Sequence, residues 1–190
     1  RMASLDLDDH QNIVVSDDRA ALSDLARYMV SLGHKDIGII CGPQQYYSSQ
    51  ERLEGFVQTL NGLNVDVPEN RIIEGKNTFE SGIECARQLL IQSPRVRAIF
   101  ANNDEMAAGV LKVAHEMGIT VPDDLSVAGF DDNLLAARVI PALTTVQRPV
   151  GDMAAIAARK IIAQIEGSEV SETETYLVKP HLIIRDSIKK

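Results

Sequence analysis

The stretch RAIFANNDEMAAGVLKVAHEMGITVPDDLSVAGFDD runs from Arg97 to Asp132. It reads as strand, helix, strand. Arg97–Asn102 is a short apolar run of the kind that forms a buried strand. Asp104–Gly118 carries Met106, Val110, Val113 and Met117 at helical spacing, and Gly118 sits where a helix stops. Leu125–Phe130 is apolar again. Two strands joined by a helix make a βαβ unit, the building block of a parallel sheet. Ala107, Ala108 and Leu111 widen the apolar stripe of the helix. A helix apolar nearly all round is buried on two faces. One face is expected to meet the sheet, and the other either a partner subunit or another helix of this chain.

The alternation extends upstream. Ile13–Ser16 is a strand candidate, and Asp17 or Asp18 can cap a helix carrying Leu22, Leu25, Ala26, Met29 and Leu32 up to Gly33. Asp36–Gly42 is an apolar β run. Leu53, Phe56, Val57 and Leu60 make the next helix face, Arg71–Gly75 is a short strand, and Phe79, Ile83, Ala86 and Leu90 line another helix. After Asp132 the rhythm changes. Pro141–Val146 is extended, Gly151–Gly167 is a strong helix, and Thr175–Ser187 is extended but interrupted by Pro180. The fold class is α/β, a parallel sheet flanked by helices. Residues 1–12 are polar and read as loop.

The chain has 190 residues, 45% of them hydrophobic, with no Trp. That suffices for a packed core of Ala, Ile, Leu and Val. The net charge is −8, and so acidic a surface repels phosphate. Cys41 and Cys85 lack metal-ligand spacing and read as buried thiols of a reducing compartment. No apolar run approaches the roughly 18 residues of a membrane span. The opening RMASLDLDDHQ reads as the interior of a longer protein.

Strand ends on one edge of a parallel sheet are where ligands sit. Tyr46, Tyr47, Ser48 and Arg52 follow one strand, Asn102, Asn103 and Asp104 another, and Asp131 and Asp132 a third. Arg offers a fork of donors, Asp accepts, and Asn does both, a set suited to vicinal hydroxyls on a sugar or nucleoside. Each has a plainer reading. Asp104 and Asp132 can be helix N-caps, and Arg52 a solvated helix residue. An enzyme is poorly supported. His10, His34, His115 and His181 show no metal-ligand spacing, Ser48 lacks a G-x-S-x-G elbow, and no glycine-rich phosphate loop occurs.

The segments SLGHKDIGIICGP, ERLEGFVQTL, AIFANNDEMAAGVL, GITVPDDLSVAGFDD, PALTTVQRP and HLIIRDS occur in an order and spacing that resembles the effector-binding region of the LacI/GalR family of bacterial transcriptional repressors, over about Ile13 to Ser187. The resemblance implies a two-subdomain core like that of a periplasmic sugar-binding protein. Residues 17–146 and 173–190 would form the second subdomain. Residues 1–16 and 147–172 would belong to the first, and DNA would be read only by an N-terminal helix-turn-helix outside this chain. It implies a sugar-like effector gripped by Arg52, Asn103 and Asp131, with Ser48, Tyr46 and Tyr47 along the same wall. Family members often place an aromatic where this chain has Asn77, so either Phe79 or a tyrosine would substitute, or the effector is less apolar on one face. It implies a cytoplasmic homodimer meeting through Ala107, Ala108, Leu111, Leu135 and Ile140, with no cofactor, no metal and no enzymatic activity. Substituting Asp131 or Arg52 by alanine is expected to abolish the effector response without unfolding the domain.

Overall fold

The computed structural model describes residues 13–92, 94–167 and 175–190. The expected loop over residues 1–12 lies outside the described residues, as do the first residues of the expected 173–190 segment. In chain order the elements are β1 (Ile13–Ser16), α1 (Asp18–Ser31), β2 (Ile37–Cys41), α2 (Tyr47–Gly62), β3 (Ile72–Glu74), α3 (Phe79–Leu90), β4 (Ala98–Ala101), α4 (Asp104–Glu116), β5 (Ser126–Asp131), β6 (Thr144–Gln147), α5 (Val150–Ile165), β7 (Thr175–Val178) and β8 (His181–Ile183).

Six strands form the main sheet in the order β3-β2-β4-β5-β6-β8. All neighbours run parallel except β6 and β8, which are antiparallel. The central strands are buried on both faces, which is why they read as unbroken apolar runs rather than alternating ones. Two apolar clusters cover the two faces. One, around Leu22, Leu25, Met29, Phe56, Phe100 and Phe130, packs α1 and α2 against the sheet. The other, around Leu89, Ile99, Met106, Val110 and Val127, does the same for α3 and α4.

Helix α4 resolves the question its sequence raised. Its second face meets α3, and the two helices lie backbone to backbone. A Cβ added at Gly109 would stand 2.6 Å from the Phe79 carbonyl oxygen and 2.8 Å from the Ile83 nitrogen. Ala107, Ala108 and Leu111 are consequently 0%, 5% and 8% exposed within the chain itself. They pack in the interior of the chain. Of the five residues expected at a dimer surface, Ile140 is fully open at 93%, and Leu135 is half-buried.

The remaining strands make a second, two-stranded sheet. β1 pairs parallel with β7, and α5 packs on β1. Residues 175–178 pair with β1, so the chain returns to the main sheet only after Val178, through Pro180 and β8. No residue of α5 is buried, although Ile161, Ile162 and Ile165 are large and apolar.

Two expected N-caps are corrected. Asn103, not Asp104, caps α4 by accepting the Met106 N–H at 2.9 Å. No helix follows Asp132, which instead braces the end of the chain by accepting from Arg185 Nη2 at 2.6 Å and Gln147 Nε2 at 2.9 Å. Of the two acids at the start of α1, Asp17 is the cap.

Candidate functional site

The parallel topology brings the C-terminal ends of β2, β4, β5 and β6 to one edge. Arg52, from the second turn of α2, reaches across that edge. It is not a solvated helix residue, being 5% exposed. Its Nε donates to Asp18 Oδ2 at 2.7 Å and its Nη1 donates to the Asn102 carbonyl at 2.7 Å. Its guanidinium lies 3.6 Å from the centre of the Phe130 ring. Nη2 stands 3.7 Å from Asp131 Oδ1. One cation thereby ties α1, α2, β4 and β5 together.

Asp131 ends β5 with φ +103°, and Asp132 follows at +53°. Both lie in the left-handed region that ordinary side chains avoid. A second guanidinium, that of Arg148 just after β6, has its Nε 3.5 Å from Asp131 Oδ1. Both ion contacts are too long for hydrogen bonds. Asp131 Oδ1 and Arg148 Nε are buried atoms without a hydrogen-bond partner. Burial pushes the Asp131 carboxyl above the usual range, and Arg52 and Arg148 pull it back. A buried acceptor and donor left unpaired side by side cost free energy until something bonds to them. The residues Asp131 and Arg148 border an open cavity of about 430 Å³, lined also by Asp132, Val150, Asp152 and His181, where the main sheet meets the start of α5.

The other expected site residues divide. Asn103 is half-buried, and both ends of its amide are engaged. Its oxygen caps α4, and its Nδ2 donates to the Asn77 carbonyl at 3.0 Å. Asn77, at φ +60°, also accepts from Asn102 Nδ2 at 2.9 Å through its side chain. Tyr46 and Tyr47 stand exposed at the head of α2, and Ser48 is half-buried beside them. Phe79 is half-buried at the head of α3, its carbonyl against Gly109. Arg52 and Asp131 are therefore brought together, Asn77 and Asn103 form a bracing pair, and the aromatics flank the edge. Asp18 and Arg148 were missed in the sequence.

Asp104 is fully buried. It accepts from Thr145 Oγ1 at 2.6 Å and from the Asn133 N–H at 2.8 Å, while burial pushes its pKa up to about 7. In the unfolded chain an aspartate titrates near 3.9. Between roughly pH 4 and 7 the folded state holds a proton that the unfolded state has lost, so stability falls as pH rises through that window and levels off above it. Asp104→Asn is therefore expected to raise the melting temperature relative to wild type by a few degrees more at pH 8 than at pH 5. Calorimetry at the two pH values checks this. Among the described residues no group of His, Cys, Asp and Glu is placed to hold a metal ion. Nor is any helix among them long and apolar enough to cross a membrane.

The sequence pattern of the family described as "Periplasmic binding protein-like domain" matches residues 26–188. The chain is 32% identical over 186 residues to the "Probable HTH-type transcriptional repressor ExuR" of Bacillus subtilis, covering 97% of this chain and 56% of that protein. It is 38% identical over 162 residues to the "HTH-type transcriptional repressor PurR" of Salmonella paratyphi B, covering 85% and 47%. Its fold matches a solved "transcriptional regulator CelR-cellobiose complex" with a TM-score of 0.88 and 31% identity, over 94% of this chain and 54% of that one. The chain thus spans about half the length of the curated relatives it matches.

Proposed function

The chain belongs to the periplasmic-binding-protein-like domains carried by LacI-type transcriptional regulators, and on that premise we propose that it is the effector-sensing part of such a regulator, one that takes a sugar or a related small polar ligand. The observation that carries this reading is the pair of Asp131 and Arg148, carboxylate facing guanidinium on the wall of an open cavity at the edge of the sheet. A ligand hydroxyl can donate to the carboxylate and accept from the guanidinium at once. Arg52, pinned by Asp18 and Asn102, holds the carboxylate from behind.

The mechanism is a population shift. The cavity lies where the main sheet meets α5, and α5 packs on the second sheet. A ligand there touches both parts and favours the arrangement in which it touches both. It can move the equilibrium only by its difference in affinity for the two arrangements. In the parent protein that shift would alter how an N-terminal reader meets operator DNA. The bare apolar face of α5, with Ile161, Ile162 and Ile165, fits burial against further residues of the first subdomain. Homodimerisation would use Ile140 and Leu135 together with the exposed Leu134. A cytoplasmic, non-enzymatic role goes with this reading.

The test uses the parent protein and DNA from upstream of its own gene. DNA affinity is followed by fluorescence anisotropy against cellobiose, glucose, galactose and galacturonate. One of these is expected to change the affinity at least about tenfold, a coupling of the usual size. Asp131→Ala should bind DNA normally and ignore the ligand. An Asp131→Ala protein that still responds would refute the assignment. A periplasmic sugar-binding protein of the same fold, the competing reading, would show no specific DNA binding at all.

A further inference from the structure

The effector reading makes no use of Asp104, yet its carboxylate joins three segments distant in sequence. It sits on the first turn of α4. Its Oδ1 accepts from Thr145 Oγ1 on β6 at 2.6 Å, and its Oδ2 accepts from the N–H of Asn133 in the turn after β5 at 2.8 Å. Gly129 leaves room for it, because a Cβ there would collide with Oδ1. The turn it holds contains Asp131 and Asp132, both with positive φ. Such conformations persist only where the surroundings over-determine them. The neighbouring Asn103 is bonded to Asn77, so the head of α4 braces the loops on both sides of β4.

We propose that Asp104 is the positioning residue of the effector site: it ties the Asp131–Asn133 turn to β6 and to the head of α4, and so sets where the Asp131 carboxylate points, without meeting the ligand itself. The proposal rests on Asp131 being the ligand-gripping residue, but its test needs no ligand.

Two readouts are taken on the ligand-free parent protein: the exchange rate of the Asn133 amide hydrogen, and the crystallographic position of the Asp131 carboxylate. Asp104→Leu keeps the branched shape, with methyl groups in place of the oxygens, and removes both acceptors. It is expected to speed Asn133 exchange at least about tenfold. It should also displace the carboxylate by more than about 0.5 Å, the tolerance of a preorganised site. Asp104→Asn, whose amide oxygen still accepts from Asn133 and whose NH₂ can bond Thr145, is expected to restore both. Unchanged exchange and an unmoved Asp131 in Asp104→Leu would overturn the proposal, as would a failure of Asp104→Asn to restore them. Should Asp104→Leu not fold, Thr145→Val takes its place. It removes one of the two bonds and is expected to speed exchange about threefold, and an unchanged rate there also overturns the proposal. Unaltered ligand binding by Asp131→Ala would instead sink the effector reading beneath it, and that appears in a different assay.

Discussion

Replacing Arg52 with alanine is expected to cost about 3–5 kcal/mol of stability, because it leaves Asp18 charged, buried and unpaired. Asp18 is 4% exposed, and its Oδ1 already lacks a hydrogen-bond partner. The same change frees the Asn102 carbonyl and uncovers the Phe130 ring. Urea denaturation at constant m-value measures the loss. The double variant Arg52→Ala with Asp18→Asn is expected to recover part of it, since the stranded charge is then gone. Without recovery, the loss would lie in packing rather than in the ion pair. The sequence alone led to a different expectation, that Arg52→Ala would blunt sensing and leave the fold intact. Burial changes that, and only Asp131, reached from the cavity, is a clean probe of ligand binding.

Phe130→Ala is expected to destabilise by about 3–5 kcal/mol, the usual cost of emptying a phenylalanine site in a core. Phe130 is 0% exposed in the cluster that seats α1 and α2 on the sheet. It is also the platform beneath Arg52, and a desolvated cation over a ring is worth up to about 2 kcal/mol. Phe130→Leu keeps most of the volume and loses the platform, so about 1–2 kcal/mol is expected. An alanine variant as stable as wild type would mean that the core closes over the gap and that Arg52 needs no aromatic support.

The fold was legible because buried parallel strands advertise themselves. IGIIC, AIFA and SVAGF are apolar without alternation, and the first two are each followed by a helix with a clear apolar stripe. The fate of β7 was not legible. TYLV and HLI read alike as extended segments, and only the register of β1 against β7 separates them. The site was half legible. Arg52 and Asp131 stood out as polar groups at strand ends. Arg148 also follows a strand, β6, but that strand end was not counted among those forming the edge. Asp18 hid beside Asp17, since either acid suits an N-cap and only packing shows which one turns inward to Arg52. Asp104 reads as a cap and is none, because Asn103 one residue earlier takes that role and frees Asp104 to point into the core. Ala107, Ala108 and Leu111 could not be assigned by pattern at all. A helix face built of small residues suits a partner subunit as well as it suits α3.

The measurement that tests the account most directly is thermal unfolding of the parent protein, wild type beside Asp131→Ala, against neutral sugars and sugar acids. Ligand binding to the folded state raises its stability by about 2.7 kcal/mol at a hundred times Kd. One ligand is expected to raise the wild-type melting temperature by several degrees and to leave Asp131→Ala where it was. Equal stabilisation of both proteins would place the ligand away from the Arg52–Asp131–Arg148 edge and contradict the account.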